Sequence, residues 1–574
     1  MRTKRSYLSV AMIVALLLAL FSPVGSAAAS PKETQMQSYV SAMQPGWNLG
    51  NTFDAFNTTD PTKNDETAWG NPRVTKEFIK EIKKQGFKSI RIPITWNGRM
   101  GGAPDYTIDP AWMDRVQQVV DWSLQEGLYV MINIHHDSWM WISKAPANHD
   151  AVLAQYNAIW TQVADRFKNH SDKLMFESIN EPLFENVDVA TQHTFLDEFN
   201  TSFVHIVRAS GGKNDVRPLV LPTLFTNNSQ EHVDSLASTI AKLNDPNLIA
   251  TVHFYGFWPF SVNIAGFPKL EELTIKDIDT MINNVTTSFV SKGIPVVIGE
   301  FGLLGWDATP FKTPLSEGVP EHGEMLKFIE YFTSKCVENK LALMLWDNGG
   351  RFDRRTLQWN DPELYNQIMA SLKGRSSTGE SDLIFVRKDA PAQDTVVHVN
   401  LNGNILTGIW AGDNHLVKGK DYELNGEDLT LKASFLAKLT ESAELGEVAV
   451  LKAQFNKGAD WTFHVLYNDT PVLQNVEGTT ASFVIPTAFN GDRLATMEAT
   501  YTTGGNAGPN NWTSFKEFAR TFKPTYATNE VALTESFFKE VNDGTVILKF
   551  HFWSGAIIEY TITKNGTSVT GTAS

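Results

Sequence analysis

Eight short apolar runs between residues 46 and 349 constrain the fold of this 574-residue chain more than any other feature. Several are apolar at nearly consecutive positions, which is typical of parallel strands buried on both faces. The stretches between them carry apolar residues at helical spacing and end near glycines such as Gly86 and Gly127. The candidate strands are GWNLGN (46–51), SIRIPITW (89–96), YVMINIHH (129–136), LMFESINEP (174–182), LVLPTLF (219–225), LIATVHFY (248–255), PVVIGEFG (295–302) and LALMLWDNG (341–349).

This alternation predicts a (β/α)₈ barrel, a TIM barrel, because eight strand–helix pairs over this length are the count for that α/β fold. A doubly wound open sheet is the alternative, and the lack of a glycine-rich phosphate loop after the first strand disfavours it. Beyond the polar segment GRSSTGESD (374–382), alternation of apolar and polar residues around Asn-Gly turns predicts two β-sandwich modules. We expect at most one helix in the second module, around SFKEFARTF (514–522).

The amino terminus combines a basic start, an apolar run from Val10 to Phe21 and a small-residue stretch that ends at Ala29. That is the pattern of a secretory signal peptide. A membrane anchor is the alternative, but the run is shorter than the roughly 20 residues that span a bilayer. The predicted organisation is therefore a signal peptide (1–29), a barrel (30–373), a linker (374–380), a first β-sandwich (381–469) and a second β-sandwich (470–574).

The net negative charge of the chain limits which classes of molecule can bind it. Loss of Arg2, Lys4 and Arg5 with the signal peptide moves the formal net charge from −15 to −18. A surface this acidic repels nucleic acid and anionic membranes and suits a neutral or cationic partner. The single cysteine, Cys336, lies in a helical pattern, so we expect a buried small residue rather than a disulfide or a reactive thiol.

Polar residues gather at the carboxyl ends of the candidate strands, which share one mouth in a (β/α)₈ barrel. Side chains of this kind from six strands at one rim indicate an active site rather than structural chance. These candidates are Arg91, His135, His136, Asn180, Glu181, His253, Tyr255, Glu300 and Trp346.

Two glutamates that face each other across a barrel mouth suit the hydrolysis of an acetal. One carboxyl group protonates the leaving oxygen, and the other attacks the developing oxocarbenium carbon. We expect Arg91 and Tyr255 to stabilise the charge on Glu300, which predicts Glu300 as the nucleophile. Glu181 has fewer evident cationic neighbours and is predicted to hold its proton as the acid. Asn180 is expected to bind a sugar hydroxyl beside the nucleophile.

The adjacent histidines His135 and His136 also raise a metal hypothesis, since imidazole is a common zinc ligand. Neighbouring residues of a strand point to opposite faces, so we favour hydrogen bonding to a carboxylate or to sugar and expect neither metal nor cofactor. Aromatic rings near the strand ends would stack on pyranose faces. The candidate substrate-binding residues are Asn48, Trp69, Trp96, Trp139 and Trp258, with Trp512 and Trp553 in the last module.

With these motifs assembled, residues 38–372 resemble the family 5 glycoside hydrolases, and in particular their bacterial endoglucanase and xyloglucanase branch. The resemblance implies an extracellular bacterial enzyme that hydrolyses β-1,4-linked glucans internally with retention, Glu181 being the acid/base and Glu300 the nucleophile. The first β-sandwich resembles an immunoglobulin-like module, and the second resembles a family 46 carbohydrate-binding module. The motifs that carry the barrel resemblance are GWNLGNT, RIPITW, INIHHD, INEP, HFY, IGEFG and LWDNG.

Three other functions remain open at this level. The barrel could act on mannan or xylan, it could bind cell walls without catalysis, or it could be a metal-dependent hydrolase. The intact glutamate pair disfavours the second of these. The expected partner is a β-glucan, and the expected state is a monomer. The last module could anchor the enzyme on its substrate or complete the cleft beside the barrel.

Overall fold

The computed structural model describes residues 33–60, 63–306 and 320–573. Eight parallel strands form a closed barrel in sequence order, which confirms the (β/α)₈ prediction. The predicted signal peptide, residues 1–29, lies outside the described residues. The barrel strands are β1 (Gly46–Asn48), β2 (Ser89–Ile92), β3 (Tyr129–Asn133), β4 (Leu174–Glu177), β5 (Leu219–Pro222), β6 (Leu248–Phe254), β7 (Val296–Phe301) and β8 (Ala342–Leu345).

A helical segment follows each strand and covers the outside of the barrel. The first of these shows the local logic: Thr75 caps it by accepting from the Phe78 amide at 3.1 Å, and Phe78, Ile79 and Ile82 form its buried face. The helices are α1 (Gln35–Ala42), α2 (Lys76–Lys84), α3 (Pro110–Gln125), α4 (Asp137–Met140), α5 (Ala145–Phe167), α6 (Val189–Ala209), α7 (Gln230–Leu243), α8 (Trp258–Ser261), α9 (Glu272–Ser288), α10 (His322–Glu338) and α11 (Pro362–Ser371).

The interior of the barrel is filled at the end opposite the mouth. Inward-facing residues of six strands form one cluster there, and Val40 and Met43 at the end of α1 close it from below. This layer makes the barrel a packed core rather than a pore, so a ligand can enter only at the other end. The strand residues of the cluster are Met131, Met175, Val220, Ile249, Val297, Ala342 and Met344.

The first module after the barrel consists of a four-stranded sheet and a five-stranded sheet, with helix α12 (Ala433–Thr440). A two-stranded hairpin, β9 (Phe352–Asp353) and β10 (Gln358–Trp359), precedes it within the barrel region. The module strands are β11 (Thr378–Gly379), β12 (Leu383–Arg387), β13 (Thr395–Asn400), β14 (Leu406–Ala411), β15 (Asn414–His415), β16 (Tyr422–Asn425), β17 (Asp428–Leu431), β18 (Gly446–Phe455) and β19 (Trp461–Asn468).

The second module also has a four-stranded and a five-stranded sheet, and its buried residues form a core separate from that of the barrel. Its helix is α13 (Glu535–Phe538), so the expectation of a helix over 514–522 is wrong. The module strands are β20 (Val472–Leu473), β21 (Val476–Thr479), β22 (Phe483–Ala488), β23 (Leu494–Tyr501), β24 (Phe522–Thr525), β25 (Glu530–Leu533), β26 (Gly544–Phe552), β27 (Ile557–Asn565) and β28 (Ser568–Ala573).

The segment predicted as a linker is packed rather than free. Arg375 makes an ion pair of 2.7 Å with Glu330 on α10, and Ser376 and Ser377 are buried. Strand β11 lies in this segment and pairs with β13. The polar composition that suggested a linker therefore serves a hydrogen-bonded joint between the barrel and the first module.

Cys336 is a buried free thiol on α10, as expected. Within the described ranges, no helix has both the length and the apolar character needed to cross a bilayer.

One buried ion pair ties the last two barrel helices together. His322 begins α10, and its Nε2 lies 2.9 Å from Asp361 Oδ2. The other oxygen of this carboxylate, Oδ1, caps α11 by accepting from the Leu364 amide. Burial lowers the pKa of His322, but the charge and hydrogen bond of Asp361 raise it to about 9. Burial raises the pKa of Asp361, but His322 lowers it below its usual value.

We predict that His322→Leu lowers the free energy of unfolding of the barrel by about 3 kcal/mol, because it leaves a buried carboxylate without its partner. The histidine contribution is complete below its unfolded pKa of about 6.5 and is lost as pH rises through about 9. The Asp361 contribution is complete above about pH 4 and is lost as pH falls through its lowered folded pKa.

Urea unfolding of both proteins at about pH 5.5 and about pH 10, followed by barrel tryptophan fluorescence, measures this difference. The difference in the free energy of unfolding between wild type and variant should be smaller at the higher pH. A difference of the same size at both pH values would contradict the assignment of the His322–Asp361 ion pair.

Candidate active site

The predicted polar residues meet at the open end of the barrel. Arg91 is on β2, His253 on β6 and Glu300 on β7. The remaining candidates lie directly beyond the ends of β3, β4, β6 and β8, where loops leave the barrel, and these are His135, His136, Asn180, Glu181, Tyr255 and Trp346.

A buried guanidinium organises this end of the barrel. Arg91 donates to Glu177 at 2.9 Å, to Glu300 at 2.7 Å, to Asn48 at 3.0 Å and to Asn180 at 2.7 Å. Burial by itself lowers the pKa of Arg91, but the charges of Glu177 and Glu300 raise it above its ordinary value. Arg91 is therefore a permanent cation that orients four side chains from the ends of three other strands, β1, β4 and β7.

A β-bulge aims Glu300 into the mouth. The pairing of β6 with β7 shifts after Val252, so that His253 stands opposite Glu300 and Gly299 is the extra residue. A Cβ at Gly299 would lie 2.8 Å from Thr251 Oγ1 and 3.0 Å from His253 Nε2, which explains the glycine of IGEFG. In this position the second oxygen of Glu300 accepts a hydrogen bond of 2.7 Å from Tyr255.

Glu181 approaches the same point from β4. It has a left-handed backbone, with φ of 40°, which is unusual for a residue with a side chain and common at functional sites. His253 Nδ1 lies 3.0 Å from Glu181 Oε1 and 3.6 Å from Glu300 Oε2. One oxygen of each carboxylate lies within 4.8 Å of the other, so both can reach the same bond of a bound molecule.

His253 links the two glutamates with a defined tautomer. Its buried Nε2 has no hydrogen-bond partner among the described residues, whereas Nδ1 faces Glu181. A proton on Nδ1 satisfies Glu181 and leaves Nε2 as an acceptor, which avoids a buried donor without a partner. His253 therefore donates through Nδ1.

The surroundings of Glu181 differ from the expectation of few cationic neighbours. Burial raises the pKa of Glu181, but the hydrogen bond and charge of His253, together with Arg91 and His136, lower it below its usual value. The side chain itself is 48% exposed to the open mouth. Without a ligand, Glu181 is thus set up as a carboxylate, and protonation requires a change in its surroundings.

His135 and His136 come closer together than strand alternation predicts, because both lie past the end of β3. Their ring centroids are 4.5 Å apart, and with Asp54 they bring three ligand atoms within 4.8 Å. Asn133 Nδ2 lies 3.2 Å from His135 Nδ1, and Trp139 Nε1 lies 3.1 Å from His136 Nδ1. Both Nδ1 atoms are acceptors, so each neutral ring carries its proton on Nε2.

A metal ion needs the lone pair that this proton occupies. Burial, followed by the charges of His136, Arg91 and His253, also holds the pKa of His135 well below its usual range. The group formed by Asp54, His135 and His136 is therefore better suited to donating hydrogen bonds than to ligating a metal.

The aromatic candidates fall into two sets. Trp69, Trp139 and Trp258 are exposed around the mouth, and the ring of Trp346 is nearly parallel to that of His135 at 5.9 Å. Trp96 differs from the prediction, since only 1% of it is exposed and its Nε1 donates to the Asn133 carbonyl. It belongs to the core and offers no face to a sugar.

Asn48, predicted to bind substrate, instead lies inside the barrel. Its amide nitrogen donates to the carbonyls of Gly299, Met344 and Leu345, and its oxygen accepts from Arg91. It is fully buried and therefore holds β1, β7 and β8 together at the level of Arg91. Its contribution to the site is indirect.

The two tryptophans of the last module lie beside the barrel. Trp512 is 59% exposed, and its ring centroid is 6.3 Å from that of Trp258, which is 42% exposed. Trp553 is half-buried, and the Lys269 ammonium lies 5.7 Å from the centre of its ring. The Trp258–Trp512 pair therefore continues the aromatic surface of the mouth onto the module.

Sequence reasoning missed Glu177 and Asp347. Glu177 is a fully buried carboxylate that accepts from Arg91 and from Asn133 Nδ2 at 2.8 Å. Asp347 accepts from Trp47 Nε1 and from three backbone amides, and so fixes the loop that carries Trp346. A glutamate inside the apolar run LMFES was the available signal for Glu177.

A (β/α)₈ barrel whose mouth holds two glutamates on one histidine, a buried arginine and exposed indoles has the fold and site of a glycoside hydrolase. The chain matches the cellulase family, glycosyl hydrolase family 5, over residues 50–351. It also matches carbohydrate binding domain X2 over residues 379–465 and the CBM46 carbohydrate binding domain over residues 469–572. The chain belongs to glycosyl hydrolase family 5.

Similar proteins share the whole arrangement. Endoglucanase B of Paenibacillus lautus is 56% identical over 100% of this chain and 99% of its own length. The structure of the full-length tri-modular endo-β-1,4-glucanase B from Bacillus halodurans is 53% identical, covers 95% of this chain and 100% of that chain, and superposes with a TM-score of 0.90. A tri-modular endo-β-1,4-glucanase from Bacillus licheniformis, complexed with cellotetraose, is 30% identical over 94% of this chain and 99% of that chain, with a TM-score of 0.78.

We predict that Arg91→Lys lowers kcat/KM by about 100-fold, because one ammonium cannot replace the four hydrogen bonds of the guanidinium in their geometry. Steady-state kinetics on a soluble glucan measures the loss. Arg217→Lys is the matched control, since Arg217 is equally buried but bonds backbone carbonyls away from the mouth. It should lower stability and leave kcat/KM near the wild-type value; equal kinetic losses in both variants would refute the role of Arg91.

Proposed function

We propose that this chain is a secreted, monomeric endo-β-1,4-glucanase that cleaves glucosidic bonds with retention, with Glu300 as nucleophile and Glu181 as acid/base. The observation that carries this proposal is the pair of carboxylates with oxygens within 4.8 Å, both beside His253. That spacing suits retaining enzymes, whose carboxyl groups are about 5–5.5 Å apart, and is too short for the water that inverting enzymes place between them.

The hydrogen bonds of Glu300 support its role as nucleophile. Arg91 and Tyr255 each donate to one of its oxygens at 2.7 Å, and these bonds stabilise the ionised carboxylate. They also fix the plane of the carboxylate, so that one lone pair can face an anomeric carbon. Attack by Glu300 forms a glycosyl-enzyme ester, and the bond to the leaving sugar breaks.

The half-exposed position of Glu181 supports its role as acid/base. A glucan chain in the mouth displaces water from Glu181, and loss of solvation raises the pKa of a carboxyl group. Protonated Glu181 can then give its proton to the leaving oxygen. Once Glu300 is an ester its negative charge is gone, so Glu181 ionises more readily and can take a proton from the water that releases the sugar.

Leaving-group dependence tests the two roles. Glu181→Ala should lose about 10²- to 10⁴-fold in kcat/KM on an aryl cellobioside with a poor leaving group, and much less on one with a good leaving group, which needs no acid. Glu300→Ala should lose activity on both substrates. Proton NMR should show the β-anomer as the first product; an initial α-anomer, or the reverse pattern of losses, would contradict the assignment.

The exposed indoles support an uncharged polysaccharide as substrate. Trp69, Trp139 and Trp258 surround the mouth, and Trp512 of the second module lies beside Trp258. Flat apolar rings of this kind suit the faces of glucose units, and the acidic surface repels anionic polymers. We therefore infer that the second module extends the cleft rather than acting only as an anchor.

Trp512→Ala distinguishes these two roles. If the module extends the cleft, kcat/KM on soluble branched glucan should fall by about 2- to 10-fold, the usual value of one aromatic contact. Assays on soluble xyloglucan and on insoluble cellulose measure this directly. A loss confined to insoluble cellulose would show that the module serves only as an anchor.

A further inference from the structure

Lys516 is a charged side chain that the chemistry above does not use. It is fully buried within the second module, in the segment where the sequence predicted a helix. Its ammonium donates to the carbonyls of Pro509 at 3.0 Å and Thr513 at 2.9 Å. Burial lowers its pKa to about 8, and the charge of Glu540 offsets only part of this effect.

The two carbonyls stand on either side of Trp512 in the chain. By binding both, Lys516 closes a short turn whose outermost ring is Trp512. The backbone amide of Lys516 also donates to the Met497 carbonyl on β23 at 2.8 Å, which ties the turn to the sheet. We call residues 505–516 the Trp512 loop.

The chain on either side of Lys516 also contacts the barrel. The Phe518 amide donates to the Asn263 carbonyl at 3.1 Å, and Asn263 Nδ2 donates to the Ala495 carbonyl at 3.0 Å. A Cβ at Gly266 would lie 3.2 Å from the ring of Phe515, so the barrel loop approaches this ring closely. The position of Trp512 relative to the barrel thus depends on the path of this segment.

A buried ammonium destabilises a fold unless its hydrogen bonds compensate for lost solvation. An apolar side chain of similar size would fill the same space without that cost. Both acceptors of Lys516 belong to the Trp512 loop, so the compensation is obtained only when this loop has its observed shape.

We propose that Lys516 is a positioning residue for substrate: it holds the Trp512 loop in the shape that sets Trp512 beside Trp258, and so determines how well the cleft binds branched glucan. This inference rests on the proposed function, because Trp512 must contact substrate for its position to matter.

Lys516→Met in the full chain tests this, since methionine keeps an aliphatic stem and loses the donors. KM for soluble xyloglucan should rise by about 2- to 10-fold with kcat nearly unchanged, as for Trp512→Ala. The double variant K516M/W512A should be no worse than W512A alone, because the loss of the Trp512 ring removes the effect of Lys516. Hydrolysis of a short aryl cellobioside should stay at the wild-type rate. Hydrogen exchange should accelerate in residues 505–516, and in the amides of Ala499 and Tyr501 that donate to this loop, but not in β26 or β27.

Lys523→Met, at an exposed lysine of the same module, is the matched control and should change none of these values. If hydrogen exchange accelerates across the whole module in K516M, the module itself is destabilised, and K516Q is then the variant that tests the proposal. The glutamine amide retains a hydrogen-bond donor, so K516Q should raise the KM for xyloglucan less than K516M does. An unchanged KM for xyloglucan, or an additive loss in K516M/W512A, would overturn the proposal. Failure of the wild-type chain to hydrolyse any β-1,4-glucan would count against the proposed function and not against this loop.

Discussion

The buried charge of Arg91 is the constraint on which the rest of the site depends. A guanidinium without solvent must be paired and hydrogen-bonded, and here Asn48, Glu177, Asn180 and Glu300 supply its partners from the ends of three strands, β1, β4 and β7. Those strands can satisfy Arg91 only when the barrel is closed and in register. The same bonds orient Glu300, the proposed nucleophile, so one hydrogen-bond network both stabilises the mouth and positions this carboxylate.

The second constraint is the joint between the barrel and its modules. Residues 374–380 contain strand β11, which pairs with β13 of the first module. The second module contacts the barrel through Phe515 and Phe518, and Asn263 is among the barrel residues that they approach. These contacts bring Trp512 next to Trp258, so that two separately folded cores share one aromatic surface. Packing at a distance from the glutamates therefore determines where Trp512 lies relative to the mouth.

Particular residues show where sequence patterns succeed and where they fail. The position of Glu300 at the end of an apolar run was enough to predict its place at the mouth, whereas Trp96, in an equivalent place, is buried. The rings of His135 and His136 lie closer together than the sequence predicted. Side chains point to alternating faces only within a strand, and β3 ends at Asn133, before both histidines. The segment 514–522, which was expected to be helical, is not a helix; Lys516 is buried there, and its ammonium donates to two carbonyls of its own loop.

The residue patterns of the sequence predicted the eight-stranded barrel, the two β-rich modules and the position of Glu181 and Glu300 at the barrel mouth, because burial pattern and strand-end position are local properties of the chain. The bulge at Gly299, the tautomer of His253, the lowered pKa of Glu181 and the alignment of Trp512 with the barrel came only from the folded structure. Each depends on contacts between residues distant in sequence, and electrostatic and packing energies are set by those distances in space.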